Sequence, residues 1–147
     1  MTDGTSYDGD WKDDAFSGVG TIAFANGDTY QGEWKQYEPH RYGVRAYRNG
    51  RVYTGEWLLG VRHGNGTMTY PNGDKYEGNW VRDNRSGFGT FRLHRGDLYA
   101  GEWFEDMQHG QGKLTHYEGT VYEGIWDRGT QVNQGGVYTS PTTGIPL

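Results

Sequence analysis

No cysteine occurs in these 147 residues, so neither a disulfide framework nor a thiolate metal site can form. No apolar run approaches the roughly 18 residues that a membrane-spanning helix needs. The first residues are acidic and polar and lack the apolar stretch of a signal peptide. Aliphatic side chains are sparse: hydrophobic residues make up 33%, and aromatic rings alone 16%. Disordered segments are poor in rings, so the shortage points to a core of rings in place of aliphatics. Tyr and Trp each bury roughly 150–250 Å². A net charge of −5 disfavours nucleic acid as a partner. A soluble cytoplasmic protein is the expectation.

What is present is a repeat. Tyr-x-Gly-x-Trp appears at Tyr7, Tyr30, Tyr53, Tyr76, Tyr99 and Tyr122, each 23 residues after the last. All six tryptophans occupy this pattern, and 22 of the 26 glycines fall at places 2, 11, 13 and 20 of the 23-residue period counted from the Tyr, Gly4 before the first Tyr included. Spacing this regular marks a repeat array, in which each unit packs on its neighbours. The units fill residues 7 to about 144, so the chain reads as a single domain, 1–147, with 140–147 as a terminal cap. No length remains for a separate catalytic domain.

Each unit reads as two strands. Strand A is Tyr-x-Gly-x-Trp. Strand B is Gly-x-Gly-x-Φ-x-Φ, as in Gly18–Phe24. Alternation at period two argues for strand, and glycine at this density opposes helix. Asn26-Gly27, Asn49-Gly50 and Asn72-Gly73 join strand B to the next strand A, and Asn-Gly is a hairpin signal. A two-residue turn there would put Ile22 and Phe24 opposite the face of Tyr30 and Trp34. A three-residue loop with left-handed Gly27 pairs Ile22 with Tyr30, Gly20 with Gly32 and Gly18 with Trp34. It gathers every large ring on one face, so register selects it. Glycines at offsets 2, 11 and 13 then clear a trough for the rings. The prediction is all-β: an elongated, single-layer antiparallel sheet of hairpins with about 12 strands, roughly 55–60 Å long.

The units differ locally. Asp3-Gly4 fills the Asn-Gly slot before Tyr7, so strand A of the first unit is expected to be an unpaired edge exposing Tyr7 and Trp11. Either a longer array was cut there or a partner completes it, and edge or end-to-end self-association is one way. In the second unit Arg41 replaces glycine, and Tyr37, Glu38 and Pro39 are read as loop. Asn133 replaces glycine in the sixth.

Tyr53-Thr54-Gly55-Glu56-Trp57, His63-Gly64-Asn65-Gly66 and Asn72-Gly73 resemble the MORN repeat family, and the likeness runs over about residues 3–139. The resemblance implies an open sheet of hairpins with an aromatic-lined groove. It also implies an adaptor role, since such arrays occur in ciliary and cytoskeletal scaffolds and beside lipid-kinase or methyltransferase domains.

Candidate sites follow. His40, His63 and His109 share offset 10, but equivalent residues lie about 10 Å apart, too far to share one zinc. They are read as loop histidines, and no metal or cofactor is expected. The acids Asp10, Glu33, Glu56 and Glu102 are spaced likewise and are read as a solvated face in place of a catalytic set. The rings Tyr30, Trp34, Tyr53, Trp57, Tyr76, Trp80, Tyr99 and Trp103 form the core and also the expected partner-binding groove.

Charge is blocked. Residues 1–33 carry seven acids and one base, 41–95 ten bases and four acids, and 96–147 seven acids and two bases. The expected basic band is Arg41, Arg45, Arg48, Arg51, Arg82, Arg85, Arg92 and Arg95, with Arg62 beside it. Arg suits paired contacts with carboxylate or phosphate. The reading is a non-enzymatic scaffold for other proteins, in a cytoskeletal assembly such as a ciliary or flagellar axoneme. The alternative is a peripheral module that recognises anionic phospholipids, which the acidic flanks oppose.

Overall fold

The computed structural model describes residues 4–132 and 135–139. Strand A of the six units forms β1 (Ser6–Lys12), β3 (Thr29–Lys35), β5 (Val52–Leu58), β7 (Lys75–Val81), β9 (Leu98–Phe104) and β11 (Val121–Asp127). Strand B forms β2 (Ala15–Ala23), β4 (Glu38–Ala46), β6 (Val61–Thr69), β8 (Asn84–Arg92) and β10 (Met107–Thr115). The last strand-B place is shared by β12 (Thr130–Gln131) and β13 (Val137–Thr139), both paired to β11, so the sheet has 13 strands. Neighbours in sequence are neighbours in the sheet from β1 to β12, all antiparallel where they pair.

The bulged loop forms as register requires. Ile22 faces Tyr30, Gly20 faces Gly32 and Gly18 faces Trp34. The Gly27 N–H donates to the Phe24 carbonyl at 3.1 Å, the Phe24 N–H to the Asp28 carbonyl at 2.8 Å, and Gly27 has φ +97°. Asn26 Oδ1 accepts the Asp28 N–H at 2.9 Å, which closes the turn locally.

The other turn differs from expectation. Lys12 pairs with Ala15, Lys35 with Glu38 and Leu58 with Val61, leaving two-residue turns. Both turn residues take positive φ even where neither is glycine, as at Asp13-Asp14 and Gln36-Tyr37. This is the mirror-image turn whose twist matches a hairpin. Glu38 and Pro39 therefore belong to β4 and are not loop. His40, His63 and His109 likewise sit in strands β4, β6 and β10.

Glycine at offset 11 also has another role than clearing a trough. Between Gly55↔Gly66 and Trp57↔Arg62 the register shifts, so β6 bulges around Gly64, which has φ +78°. The preceding acid holds this bulge: Glu33 accepts the Tyr42 N–H at 3.0 Å and Glu102 the Gln111 N–H at 2.6 Å. Glu102 is exposed and Glu33 half-buried, and both are structurally employed. Arg41 takes the same left-handed place with φ +68°. Asn133 lies outside the described residues. In the sixth unit Gly136, not Gly135, lies under the Tyr122 ring, because the split strand inserts one residue.

Candidate functional site

The aromatic face is built by glycine. A Cβ on Gly43 would sit 2.1 Å from Tyr30 Oη, and one on Gly66 2.2 Å from Tyr53 Oη. The Tyr rings therefore lie flat on bare backbone. Each hydroxyl donates three residues ahead, Tyr53 to the Glu56 carbonyl and Tyr99 to the Glu102 carbonyl, both at 2.7 Å. Each interior indole donates to the preceding unit: Trp34 to Gly20 at 2.9 Å and Trp57 to Gly43 at 3.1 Å. Tyr53 meets Trp57 edge-on at 5.0 Å and Trp80 of the next unit at 5.3 Å. Such pairs are worth about 0.5–1.5 kcal/mol beyond burial, and they recur from Tyr7 to Trp126.

This packing replaces the expected open groove with a closed core. Tyr30, Tyr53 and Tyr76 are 0% exposed, Tyr99 is buried, and Trp34, Trp57, Trp80 and Trp103 show at most 6%. Burial raises the Tyr30, Tyr53, Tyr76 and Tyr99 hydroxyls above the ordinary range. None of these eight rings leaves a face open to a partner. Trp11 differs: it is 55% exposed, on a strand whose one described neighbour is β2, while Tyr7 stacks on Phe16 at 3.7 Å.

The arginines do not form one band. Arg45 turns inward over Phe24 at 4.5 Å and pairs with Asp28 at 2.8 Å. Arg85 lies over Trp103 at 4.6 Å and pairs with Asp106 at 3.2 Å. Arg62 does the same over Trp80, paired with Asp83 at 3.1 Å. Arg51 is half-buried against Tyr47. Arg48, Arg92 and Arg95 are exposed at the Asn-Gly end of the strands, whereas Arg41 and Arg82 are exposed toward the opposite end. A strand of nine residues such as β8 separates those ends by roughly 27 Å.

Along the Asn-Gly end, carboxylates latch one unit to the next. Asp28 accepts the Arg48 N–H at 2.8 Å, Asp74 the His94 N–H at 2.9 Å and Asp97 the Tyr117 N–H at 2.8 Å. Burial pushes the Asp28 carboxyl up, but the Arg45 guanidinium and the Arg48 N–H outweigh it and hold it below its ordinary value. The Tyr117 N–H, with Arg95 beside it, holds Asp97 down likewise.

The outer face carries a surface that sequence reasoning missed. Leu58, Leu59, Val81, Phe104 and Met107 are between 38% and 60% exposed. They come from consecutive units at the two-residue-turn end of β5 to β10. Offset 5 carries the signal: it reads Lys, Lys, Leu, Val, Phe, Asp along the chain. Phe88, 59% exposed, and His109 extend the patch around a depression of about 490 Å³ that includes Glu102 and Phe104. Glu56, Glu102 and Glu105 stand exposed on or beside it. Among the described residues no group of three or more His, Asp or Glu could hold a metal ion.

A family model described as the MORN repeat matches residues 7–29, 30–50, 53–75, 76–98 and 99–121. No curated protein matches the chain. Among solved structures, the chain is similar to the SAS-4 (dCPAP) TCP domain of Drosophila melanogaster, solved with a proline-rich motif of Ana2 (dSTIL). Identity is 11%, coverage is 88% of this chain and 82% of that one, and the TM-score is 0.39, too distant to transfer any contact.

Proposed function

The chain belongs to the MORN repeat family, and from that premise we propose that it is a non-catalytic adaptor that docks a protein partner on its outer face. Arrays of this family are interaction scaffolds for proteins or membranes. The observation that carries the protein reading is the exposed strip from Leu58 to Met107 on a sheet whose other face is filled by its own rings. Exposed apolar residues gathered along one face of consecutive units point to an interaction site. The carboxylates of Glu56, Glu102 and Glu105 beside it would repel an anionic bilayer and suit a partner segment that is apolar with basic flanks. The setting proposed is a cytoskeletal assembly, a ciliary or flagellar axoneme among them, reached from the cytoplasm. That setting rests on the family resemblance.

Proximity labelling of the tagged protein in its own cell, beside a Leu58→Glu/Phe104→Glu variant, tests the adaptor. Loss of a defined set of cytoskeletal neighbours in the variant, at unchanged melting temperature, supports it. Strong, salt-sensitive pelleting of the purified chain with anionic vesicles, unaffected by the variant, would establish the membrane reading instead.

A further inference from the structure

The junction between the second and third units breaks the latch pattern at both partners. The slot that holds Asp28, Asp74 and Asp97 elsewhere holds Arg51. The position that donates its N–H elsewhere is Pro71, which has none. Pro71 packs instead against Gly50. Local turn geometry is retained, since Asn49 Oδ1 still accepts the Arg51 N–H at 3.0 Å. So the backbone presents the same slot with its charge reversed.

Three guanidiniums converge there on one ring. Arg45 and Arg51 lie 5.1 Å and Arg62 6.0 Å from the centroid of Tyr47. Two carboxylates answer them: Asp28 pairs with Arg45 and Asp83 with Arg62. Among the described residues Arg51 has no acidic partner, and the buried Nε–H groups of Arg45 and Arg51 have no acceptor. The cluster thus carries one uncompensated positive charge, and half-buried Arg51 is the guanidinium of the three that lacks a carboxylate.

We propose that this junction binds a carboxylate side chain of an acidic partner peptide, with Arg51 as its principal donor and Arg45 beside it. The chemistry selects the class. One carboxylate neutralises one surplus charge, and it is the group that the equivalent slots already hold. Arg offers a planar fork that matches it. Arg48 and Arg92 are exposed along the same Asn-Gly edge, so a run of acids in one peptide meets further cations while its anchor occupies the slot. The site is separate from the outer-face strip, and it deepens the adaptor reading on which it rests.

The test is fluorescence anisotropy of a labelled glutamate-rich peptide with the full chain at physiological salt. Arg51→Asp restores the residue that other junctions use. Arg128→Asp, on a remote exposed turn, makes the same charge change elsewhere. Support is saturable binding that Arg51→Asp weakens at least about tenfold while Arg128→Asp leaves it nearly intact. If Arg51→Asp lowers the melting temperature, Arg51→Gln is read in its place. Equal weakening by both Asp variants means diffuse attraction and overturns the site. So does absence of peptide binding, or preference for inorganic phosphate or phosphatidylserine vesicles over the peptide. Should the peptide fail while Leu58→Glu/Phe104→Glu still loses its cellular neighbours, this site falls and the adaptor stands.

Discussion

The indole N–H of Trp80 donates to the Gly66 carbonyl at 3.1 Å, across the boundary between two units. The same glycine lies under the Tyr53 ring, so one residue serves both neighbours. Gly66→Ala forces a methyl to 2.2 Å from Tyr53 Oη and cannot be absorbed by backbone. It is expected to cost about 3 kcal/mol, the upper range for overpacking. Trp80→Phe keeps a ring but deletes the donor, for about 1 kcal/mol from the hydrogen bond alone. Urea unfolding followed by tryptophan fluorescence checks both. A Gly66→Ala protein as stable as wild type would contradict the packing described.

Arg41 occupies a left-handed bulge position that glycine fills in four other units. A side chain there costs roughly 1–2 kcal/mol, against about 0.5–1 kcal/mol of extra entropy lost by glycine. Arg41→Gly is therefore expected to stabilise the fold, by up to about 1.5 kcal/mol. Thermal unfolding would show a rise of a few degrees.

Acid should loosen the latches. Asp28, Asp74 and Asp97 are held below the ordinary carboxylate value in the folded chain. That ordinary value is about 3.9. A lowered folded value gives stability that is complete above about pH 4 and lost as pH falls through the folded value. Melting temperature should drop between pH 4 and pH 2, as read by circular dichroism. Asp97→Asn keeps an acceptor for Tyr117 but removes the titration, so its drop should be smaller.

Alkali should act on the other end. Tyr30, Tyr53, Tyr76 and Tyr99 are raised by burial, with Glu33 and Glu102 adding to the effect at Tyr30 and Tyr99. The ordinary value is about 10. A raised folded value means the contribution is complete below that pH and lost as pH rises through the folded value. Phenolate absorbance from these rings should appear together with loss of near-ultraviolet dichroism. Gradual ionisation with dichroism unchanged would show that the rings are open to solvent.

Much of the fold is legible because the 23-residue period carries register with it. Ile22 opposite Tyr30 follows from asking which loop gathers the rings, and the sheet agrees. Three features were not legible. Asp13-Asp14 and Gln36-Tyr37 form mirror-image turns without the glycine that signals them, because the flanking strands impose the twist. Arg45 and Arg85 looked like surface charge, yet each pairs with an Asp contributed by a neighbouring unit. The glycine trough was legible, but not that each interior Tyr covers glycine of its own unit, as Tyr30 does Gly43, and so leaves its ring buried. The outer strip was visible at offset 5 but lay outside the motif that drew attention.

Sheet order repeats sequence order from β1 to β12. The ring contacts reach one unit ahead, as from Tyr7 to Trp34 and from Tyr99 to Trp126. Nothing in that pattern waits for a distant part of the chain. Each hairpin can dock as it leaves the ribosome, on the unit synthesised just before it. The same locality makes the gene modular: gain or loss of 23 codons in frame joins two compatible junctions, lengthening or shortening the array by one hairpin while every remaining ring keeps a partner.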